Sequence, residues 1–371
     1  MVRGLLRDGQ GNGQAGAPRE LSVRSSRPRA VIRLPRKRCN LGPVCSPIPG
    51  SLLPSVVLLG TVLLVQPSGL QTQAPRQVLA QAAEAGTWSR AASMPTERGE
   101  VGAAAIDGKI YVVGAYSGAT DANEAYDPTT DSWQQLAPLP RPRNHVGTAA
   151  VGGQLYVIGG FDPSAGNRPV DTTYAYDPAS DTWTPRAPLP TPRGALVCVV
   201  VGETIYVIGG VSPAGDTGAV EVYDPGSDTW RTGLAPMPTA RDHLAGAVLD
   251  GLVHVIGGRS PALARTGTTH EVYDPATDAW TSAAPLPTGR SGIGAAVLAG
   301  RIHVLGGEAS RTFEQNEAYD PATDSWLSFA PLPTPRHGLG VVAVGDAIYV
   351  LAGGPRPGDS RSNTVEVFRL P

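Results

Sequence analysis

One pattern recurs six times between residue 88 and the C-terminus, in which an apolar segment ends in a glycine pair and a Tyr-Asp-Pro turn and a tryptophan follow. The pairs are Gly159-Gly160, Gly209-Gly210, Gly257-Gly258, Gly306-Gly307 and Gly353-Gly354, with Gly114-Ala115 as a degenerate first member. The turns and tryptophans occupy 126–133, 176–183, 223–230, 273–280 and 319–326. A repeat of 45 to 50 residues that contains only strand and turn signals predicts the blades of a β-propeller.

The second unit shows how one repeat becomes a blade. Its segments 145–151, 154–160, 172–178 and 181–190 are separated by turn residues and predict four antiparallel strands, a to d. Strand a is rich in Ala, Gly and Val in every unit, as expected for the strand that crowds around a common axis.

The order of the elements predicts how the ring closes. The last unit ends after its third strand, at 364–370, and lacks a tryptophan strand, whereas Trp88 precedes the first strand a. Pairing 86–90 with 364–370 removes the open sheet edges that an incomplete ring would expose. The sequence therefore predicts an all-β, six-bladed propeller with four antiparallel strands per blade, whose last blade is closed by an N-terminal outer strand.

These features resemble the kelch repeat: the doubled glycine, the Tyr-Asp-Pro turn, the tryptophan, and an arginine that opens each unit. The resemblance covers 86–371 and implies the propeller fold. Kelch propellers include adaptors, extracellular modules and a few enzymes, so the resemblance leaves the function to be argued from the site.

Residues 1–85 differ from the repeats and predict a leader with a linker that is disordered or cleaved. Residues 1–80 contain 11 Lys or Arg and 2 acidic residues, and 52–65 form an apolar run of 14. Such a run is short for a membrane span and is typical of a secretory signal. We expect a secreted, periplasmic or cell-surface protein; the alternative is a cytoplasmic protein whose start site was assigned too early.

The remaining 291 residues contain 19 basic and 30 acidic residues, which argues against nucleic acid as a partner. We expect no membrane span in the propeller and a monomeric state. Of the three cysteines only Cys198 lies in the repeats, so no thiolate metal site is expected. The sequence predicts no metal and no cofactor.

An arginine opens strand a in every unit and gives six candidate ligand-binding residues: Arg98, Arg143, Arg193, Arg241, Arg290 and Arg336. In kelch adaptors that present substrates to ubiquitin ligases, arginines at the matching position hold acidic peptides, so the resemblance implies an anion-binding mouth. The alternative is that these arginines connect the blades through backbone carbonyls.

Departures from the repeat add four candidates beside the arginines: His145, Asp242, His243 and His337. His254 and His303 occupy a position that other units fill with tyrosine and are interpreted as structural. Loop residues without a repeated counterpart could also contact a ligand, namely Tyr116, Phe161, Arg168, Arg259, Arg265 and Arg311.

The sequence favours a non-catalytic binding module that recognises an anionic peptide, protein or glycan on the face of the b–c and d–a loops. The chain contains no G-x-S-x-G elbow, no H-E-x-x-H helix and no phosphate-binding glycine-rich loop. Two enzymatic alternatives stay open. One is a kelch enzyme similar to sialic-acid epimerases, with arginines on a carboxylate and His243 or His337 for proton transfer; the other is a copper oxidase of the galactose-oxidase type.

Overall fold

The computed structural model of this protein describes residues 86–118, 120–261 and 267–371. The predictions made for the leader, residues 1–85, and for Arg265 lie outside the described residues. Within the described ranges the chain forms six four-stranded antiparallel sheets arranged around one axis. This confirms the predicted all-β six-bladed propeller.

Each blade runs from an inner strand a to an outer strand d. Blades one to three contain β2 to β5 (Gly102–Ile106, Lys109–Val113, Asn123–Asp127, Ser132–Gln135), β6, β7, β10 and β11 (Gly147–Val151, Gln154–Ile158, Thr173–Asp177, Thr182–Arg186), and β12, β13, β16 and β17 (Val197–Val201, Thr204–Ile208, Val220–Asp224, Thr229–Arg231). Blades four to six contain β18 to β21 (Ala245–Leu249, Leu252–Ile256, His270–Asp274, Ala279–Ser282), β22 to β25 (Gly294–Leu298, Arg301–Leu305, Asn316–Asp320, Ser325–Ser328), and β26, β27, β28 and β1 (Gly340–Val344, Ala347–Leu351, Val365–Arg369, Thr87–Arg90).

Two b–c loops carry small hairpins of their own. In blade two, β8 (Phe161–Asp162) pairs with β9 (Arg168–Pro169) around a 3₁₀ turn at Pro163–Ala165, and in blade three β14 (Val211–Ser212) pairs with β15 (Gly215–Asp216). No helix among the described residues is long and apolar enough to cross a bilayer; the 3₁₀ turn has only three residues.

The inner strands pack side by side around the whole ring, each against the strand a of both neighbouring blades. Their glycines and alanines permit this approach. A Cβ on Gly147, for example, would lie 2.3 Å from Cys198 Sγ of the next inner strand. The b and c strands are almost wholly buried and form the apolar layers between blades, whereas the d strands are largely exposed.

The N-terminal strand completes blade six as predicted. β1 pairs with β28, with Trp88 opposite Phe368, and the two rings lie 5.2 Å apart. The blade nearest the C-terminus is therefore closed by the residues that come first in the ring.

The six tryptophans join adjacent blades. Each indole Nε1 donates a hydrogen bond of 2.8–2.9 Å to an alanine carbonyl just after strand d of the preceding blade, and the acceptors for Trp88, Trp133, Trp183, Trp230, Trp280 and Trp326 are Ala330, Ala92, Ala137, Ala187, Ala235 and Ala284. Because Trp88 continues this series, the closing strand is fixed by the same contact as the other five.

The acidic residues of the YDPxxD turns are structural. In the first blade Asp127 Oδ1 accepts from the amide of Thr129 within the turn, a contact typical of turn-forming aspartates. The second carboxylate of the turn also connects two blades. Asp131 Oδ1 accepts from the Tyr126 hydroxyl and from the Ala92 amide of the neighbouring blade, both at 2.7 Å. Four further blades repeat this inter-blade contact.

Candidate functional site

The six arginines at the start of the inner strands, which we call the arginine layer, are buried. Their exposed fractions are 0–2%, and none of them lines the cavity described below. This placement contradicts the expectation that six guanidinium groups converge on an open anion-binding mouth. It agrees with the alternative in which the arginines bind backbone carbonyls, although they do so within a blade and not between blades.

Blade four shows the arrangement. Arg241 Nε donates to the Gly257 carbonyl at 2.7 Å and Nη2 to the Val255 carbonyl at 2.9 Å, while Nη1 forms an ion pair with Glu271. The Thr239 hydroxyl completes the carboxylate's bonds at 2.8 Å. The same Arg–Glu pairing holds at Arg98–Glu124, Arg193–Glu221, Arg290–Glu317 and Arg336–Glu366. Burial lowers the pKa of Arg241, and the facing carboxylate opposes this shift.

Blade two departs from this plan. Tyr174 occupies the strand c position where five other blades carry the glutamate. Arg143 instead pairs with Asp162 of the b–c loop at 3.1 Å. The buried cation is thereby satisfied by a loop residue, which ties the loop of this blade to the scaffold.

Two residues beyond each arginine, the backbone adopts a left-handed conformation with φ between 52° and 62°. These six residues, which we call the axial ring, are Glu100, His145, Ala195, His243, Gly292 and Gly338. Each amide donates to the carbonyl of the equivalent residue in the preceding blade, at 2.7–3.2 Å, so that six hydrogen bonds close a circle around the axis. Four of the six are not glycine, and non-glycine residues in this region often mark functional sites.

In blades one to five, the residue after the glycine pair lies beside the axial ring, and in blade six the equivalent residue is Gly354. We call Tyr116, Phe161, Val211, Arg259 and Glu308 the loop ring. Their backbones hydrogen bond to the residue that follows the arginine, as in the bridges Asp242–Arg259 and Ser291–Glu308. All five members line the same cavity.

This cavity has a volume of about 410 Å³ and opens at the face of the b–c and d–a loops. Four of the ten predicted ligand-binding residues line it: His145, Asp242, His243 and His337. Of the loop candidates, Tyr116, Phe161 and Arg259 also line it, whereas Arg168 and Arg311 do not. A smaller cavity of about 90 Å³ continues along the axis beneath the ring.

Glu100 and Glu308 are cavity residues that sequence reasoning missed. Glu100 lies two residues after Arg98, in the position that His145 and His243 occupy in their own repeats. Glu308 follows a glycine pair, as Arg259 does. Comparing the six repeats at these two positions would have identified both glutamates.

The floor of the cavity brings histidines and carboxylates together around Glu100. Its two oxygens lie 3.4 Å from His145 Nε2 and 3.4 Å from His337 Nε2. His337 Nε2 is also 3.5 Å from Glu308 Oε2. Gly338 leaves room for this carboxylate, because a Cβ there would lie 2.5 Å from Glu100 Cδ.

A second group lies beside it. His243 Nδ1 donates to Asp242 Oδ1, and the His145 and His243 rings meet edge to face at 4.9 Å. Arg259 binds Asp242 at 3.0 Å and Glu308 at 3.2 Å and approaches His243 Nε2 at 3.0 Å. The only described arginine of the cavity is thus already held by two carboxylates.

The protonation states follow from burial and charge. Burial lowers the pKa of His145 to about 4, with the Glu100 carboxylate opposing the shift, so this imidazole is neutral at pH 7. Burial alone would raise the pKa of Glu100, but His145, His243, His337 and Arg259 outweigh it and hold the pKa below its usual value. With Asp242, Glu308 and Asp359 also on the wall, the described cavity has an acidic balance.

Cys198, which the copper-oxidase alternative requires beside a tyrosine of the site, lies on β12 in the apolar packing between blades two and three. Burial raises the pKa of its thiol to about 12. It does not line the cavity.

Comparisons with known proteins address the fold. The family model described as the KLHDC2/KLHL20/DRC7 Kelch-repeats domain matches residues 76–210 and 186–354. A solved structure titled "Structure of YjhT" superimposes with a TM-score of 0.65 at 18% sequence identity, covering 75% of this chain and 97% of that one. A search of curated proteins finds no match.

Proposed function

This chain belongs to the KLHDC2/KLHL20/DRC7 Kelch-repeats domain family, and we propose that it is a binding module whose cavity holds a small polyhydroxylated ligand, such as the terminal sugar of a glycan. The observation that carries this proposal is the cavity itself, in which convergent imidazole and carboxylate groups are combined with the aromatic rings of Tyr116 and Phe161.

The size and shape of the cavity favour a compact ligand. Its volume of about 410 Å³ lies within the range of roughly 300–1,000 Å³ that is usual for small-molecule sites. The polar groups stand at its floor and the aromatic rings on its wall. Sugar hydroxyls both donate and accept hydrogen bonds, and the C–H faces of a pyranose pack against aromatic rings.

The charges favour a neutral ligand over the anionic one expected from sequence. That expectation depended on the arginine layer, which is buried and paired. Within the described residues the cavity offers one arginine, and Asp242 and Glu308 already occupy its guanidinium. An added carboxylate or phosphate would meet Glu100, Glu308 and Asp359 without an unpaired cation to receive it.

A glycan array followed by calorimetry with the isolated hits tests the proposal. We expect Tyr116→Ala to weaken binding at least about tenfold, because the Tyr116 ring lines the cavity and would contact the ligand. The side chain is 40% exposed and does not belong to the apolar core. The matched control is Leu252→Ala, since Leu252 is 36% exposed on the opposite face. Absence of any glycan hit, or equal affinity of both variants, would refute the proposal.

A second candidate is proton-transfer catalysis on such a ligand, as in the epimerase-like alternative. The specific observation is the His243–Asp242 pair, in which a carboxylate orients an imidazole that faces the cavity. Nuclear magnetic resonance of the anomers of neutral sugars and of sialic acid, with and without protein, distinguishes catalysis from binding. Unchanged exchange rates with every bound sugar would exclude this candidate.

We also propose that the protein acts outside the cytoplasm, because of the apolar run at 52–65. N-terminal sequencing of the product from its native host would test this. Cleavage between that run and residue 86 supports export, whereas an intact N-terminus in the cytoplasmic fraction contradicts it.

A further inference from the structure

Two histidines of the cavity floor direct Nε2 toward the same carboxylate. His145 Nε2 and His337 Nε2 each lie 3.4 Å from an oxygen of Glu100. A charge-assisted hydrogen bond between these groups would be shorter, at about 2.7–2.9 Å. The distance between Nε2 and the carboxylate oxygen therefore fits two acceptors that bind the same cation better than it fits a direct hydrogen bond.

In each of the three histidines, Nδ1 faces a hydrogen-bond acceptor, which places the ring proton on Nδ1. His145 Nδ1 lies 2.6 Å from Asn144 Oδ1, and the Asn144 amide donates elsewhere, to Asn167, which leaves Oδ1 as the acceptor. His243 Nδ1 donates to Asp242, and His337 Nδ1 to the Gly354 carbonyl at 3.1 Å. All three Nε2 lone pairs are thereby directed into the cavity floor. Outer hydrogen bonds of this kind fix the tautomer of metal-binding histidines.

A cation between these groups must be a proton or a metal ion. The Nδ1 proton of His145 is directed to Asn144 Oδ1, so its Nε2 is available to a metal ion. The Glu100 carboxylate, which faces both His145 Nε2 and His337 Nε2, is the acidic ligand that a divalent ion requires. Neutral imidazole together with carboxylate is a donor set that suits zinc.

We propose that the Nε2 atoms of His145 and His243 and the carboxylate of Glu100 bind a divalent transition-metal ion, with zinc as the best fit and one coordination position open to the cavity. One ligand atom from each residue lies within 4.8 Å of the others. A tetrahedral zinc site with bonds of about 2.0–2.1 Å places its ligands about 3.3 Å apart. The His145–Glu100 separation is already 3.4 Å, and the ligand atom of His243 lies within 4.8 Å of both groups.

The backbone supports this assignment. All three ligands belong to the axial ring, whose closed circle of hydrogen bonds fixes their Cα positions independently of the loops. His337 lies on the other side of Glu100 and could serve as a further ligand. The site differs from the sequence-based prediction of no metal, which considered the histidines only as ligand contacts. The zinc proposal can fail or succeed independently of the glycan proposal, because zinc binding is measured without sugar.

Arg259 is the competitor that the metal must displace. Its Nη2 lies 3.0 Å from His243 Nε2, on the lone pair that the metal would use. The side chain is 41% exposed and can turn toward solvent. We therefore expect Arg259→Ala to bind metal more tightly than the unmodified protein, a gain that damage to the fold would not produce.

The test is titration of the full-length, untagged, chelator-treated protein with Zn²⁺ by calorimetry, and with Co²⁺ by visible absorption, which reports coordination directly. We expect one ion per chain, at least about tenfold weaker binding in His145→Ala and His243→Ala, and tighter binding in Arg259→Ala. Alanine suits this backbone, because Ala195 has φ 54° at the equivalent position.

The matched control is His270→Asn, which removes a histidine outside the cavity and copies Asn123 and Asn316 at the same position of strand c. We expect its metal affinity to be unchanged. If either alanine variant melts early, Glu100→Gln, which keeps the side-chain shape, replaces it. No stoichiometric binding, or equal losses in His145→Ala and His270→Asn, would overturn the proposal.

Discussion

Two positions that are two residues apart in every repeat have opposite roles. The arginine layer has the same side chain in all six blades, is buried, and is paired with a carboxylate in each. The axial ring has one backbone conformation in all six blades but carries Glu, His, Ala, His, Gly and Gly. The repeated residue therefore stabilises the blade, while the variable residue two positions later forms the cavity.

The link between the two is geometric. Arg241, for example, holds the start of strand a against the end of strand b, and this fixes the direction in which the chain enters the axial ring. Because the backbone hydrogen bonds of the ring need no particular side chain, those six positions can vary without opening the circle. A rigid and repeated layer thus permits a variable one.

The largest effect should come from breaking the arginine layer. We expect Arg290→Met to lower the free energy of unfolding by about 3–5 kcal/mol, because it leaves the Glu317 carboxylate buried without its cation. Urea unfolding followed by tryptophan fluorescence measures this. The double variant Arg290→Met/Glu317→Leu should recover much of the loss. A single-variant loss below about 1 kcal/mol would show that this layer does not support the blade.

This arrangement also explains what the sequence could and could not predict. The blades, their strand order and the pairing of Trp88 with the tail follow from the repeat and are confirmed. The burial of the arginines was missed, although a partner was visible: a glutamate stands second in strand c of five blades, as in Glu271 and Glu317. Considering each arginine with that glutamate would have favoured the structural alternative.

The cavity could be predicted only in part. His145, Asp242, His243 and His337 were found as departures from the repeat, and all four line it. The position of Arg259 could not be inferred, because its side chain binds Asp242 of its own blade and Glu308 of the next blade. Such contacts depend on loop conformation, which the repeat does not specify.

Acid should destabilise the protein through two paired histidines of blade four. His254 Nδ1 lies 2.9 Å from His270 Nε2, and His270 Nδ1 donates to the Ala284 carbonyl. Burial, and for His270 also the charge of His254, lowers the pKa of both rings to about 4, although Asp250 and Asp324 oppose the shifts. Because the unfolded chain binds protons near pH 6.5 and the folded pair does not, stability is lost as pH falls from about 6.5 to about 4.

We expect His270→Asn to reduce this acid-induced loss by about 2 kcal/mol, since asparagine keeps the hydrogen bond to the carbonyl and does not titrate. Urea unfolding at pH 7.5, 5.5 and 4.5, with chelator present, gives the comparison. His303→Asn serves as a control for loss of any buried histidine. Parallel curves for His270→Asn and the unmodified protein would contradict the assignment of the acid sensitivity to this pair.

The smallest effect on stability should come from replacing either of two glycines in the axial ring by alanine. The same two variants test most directly whether Glu100 binds the metal. Gly338 and Gly292 have φ values of 59° and 62°, so an alanine at either position should cost about 1 kcal/mol. Only the Gly338 Cβ would meet the Glu100 carboxylate, at 2.5–2.7 Å, whereas the Gly292 Cβ would meet His337 Cβ at 3.3 Å. We therefore expect Gly338→Ala and Gly292→Ala to unfold at similar urea concentrations, while Gly338→Ala alone weakens zinc binding about tenfold or more. Equal zinc affinities in the two variants would mean that Glu100 is not a ligand, and would leave the axial ring as scaffold like the arginine layer beneath it.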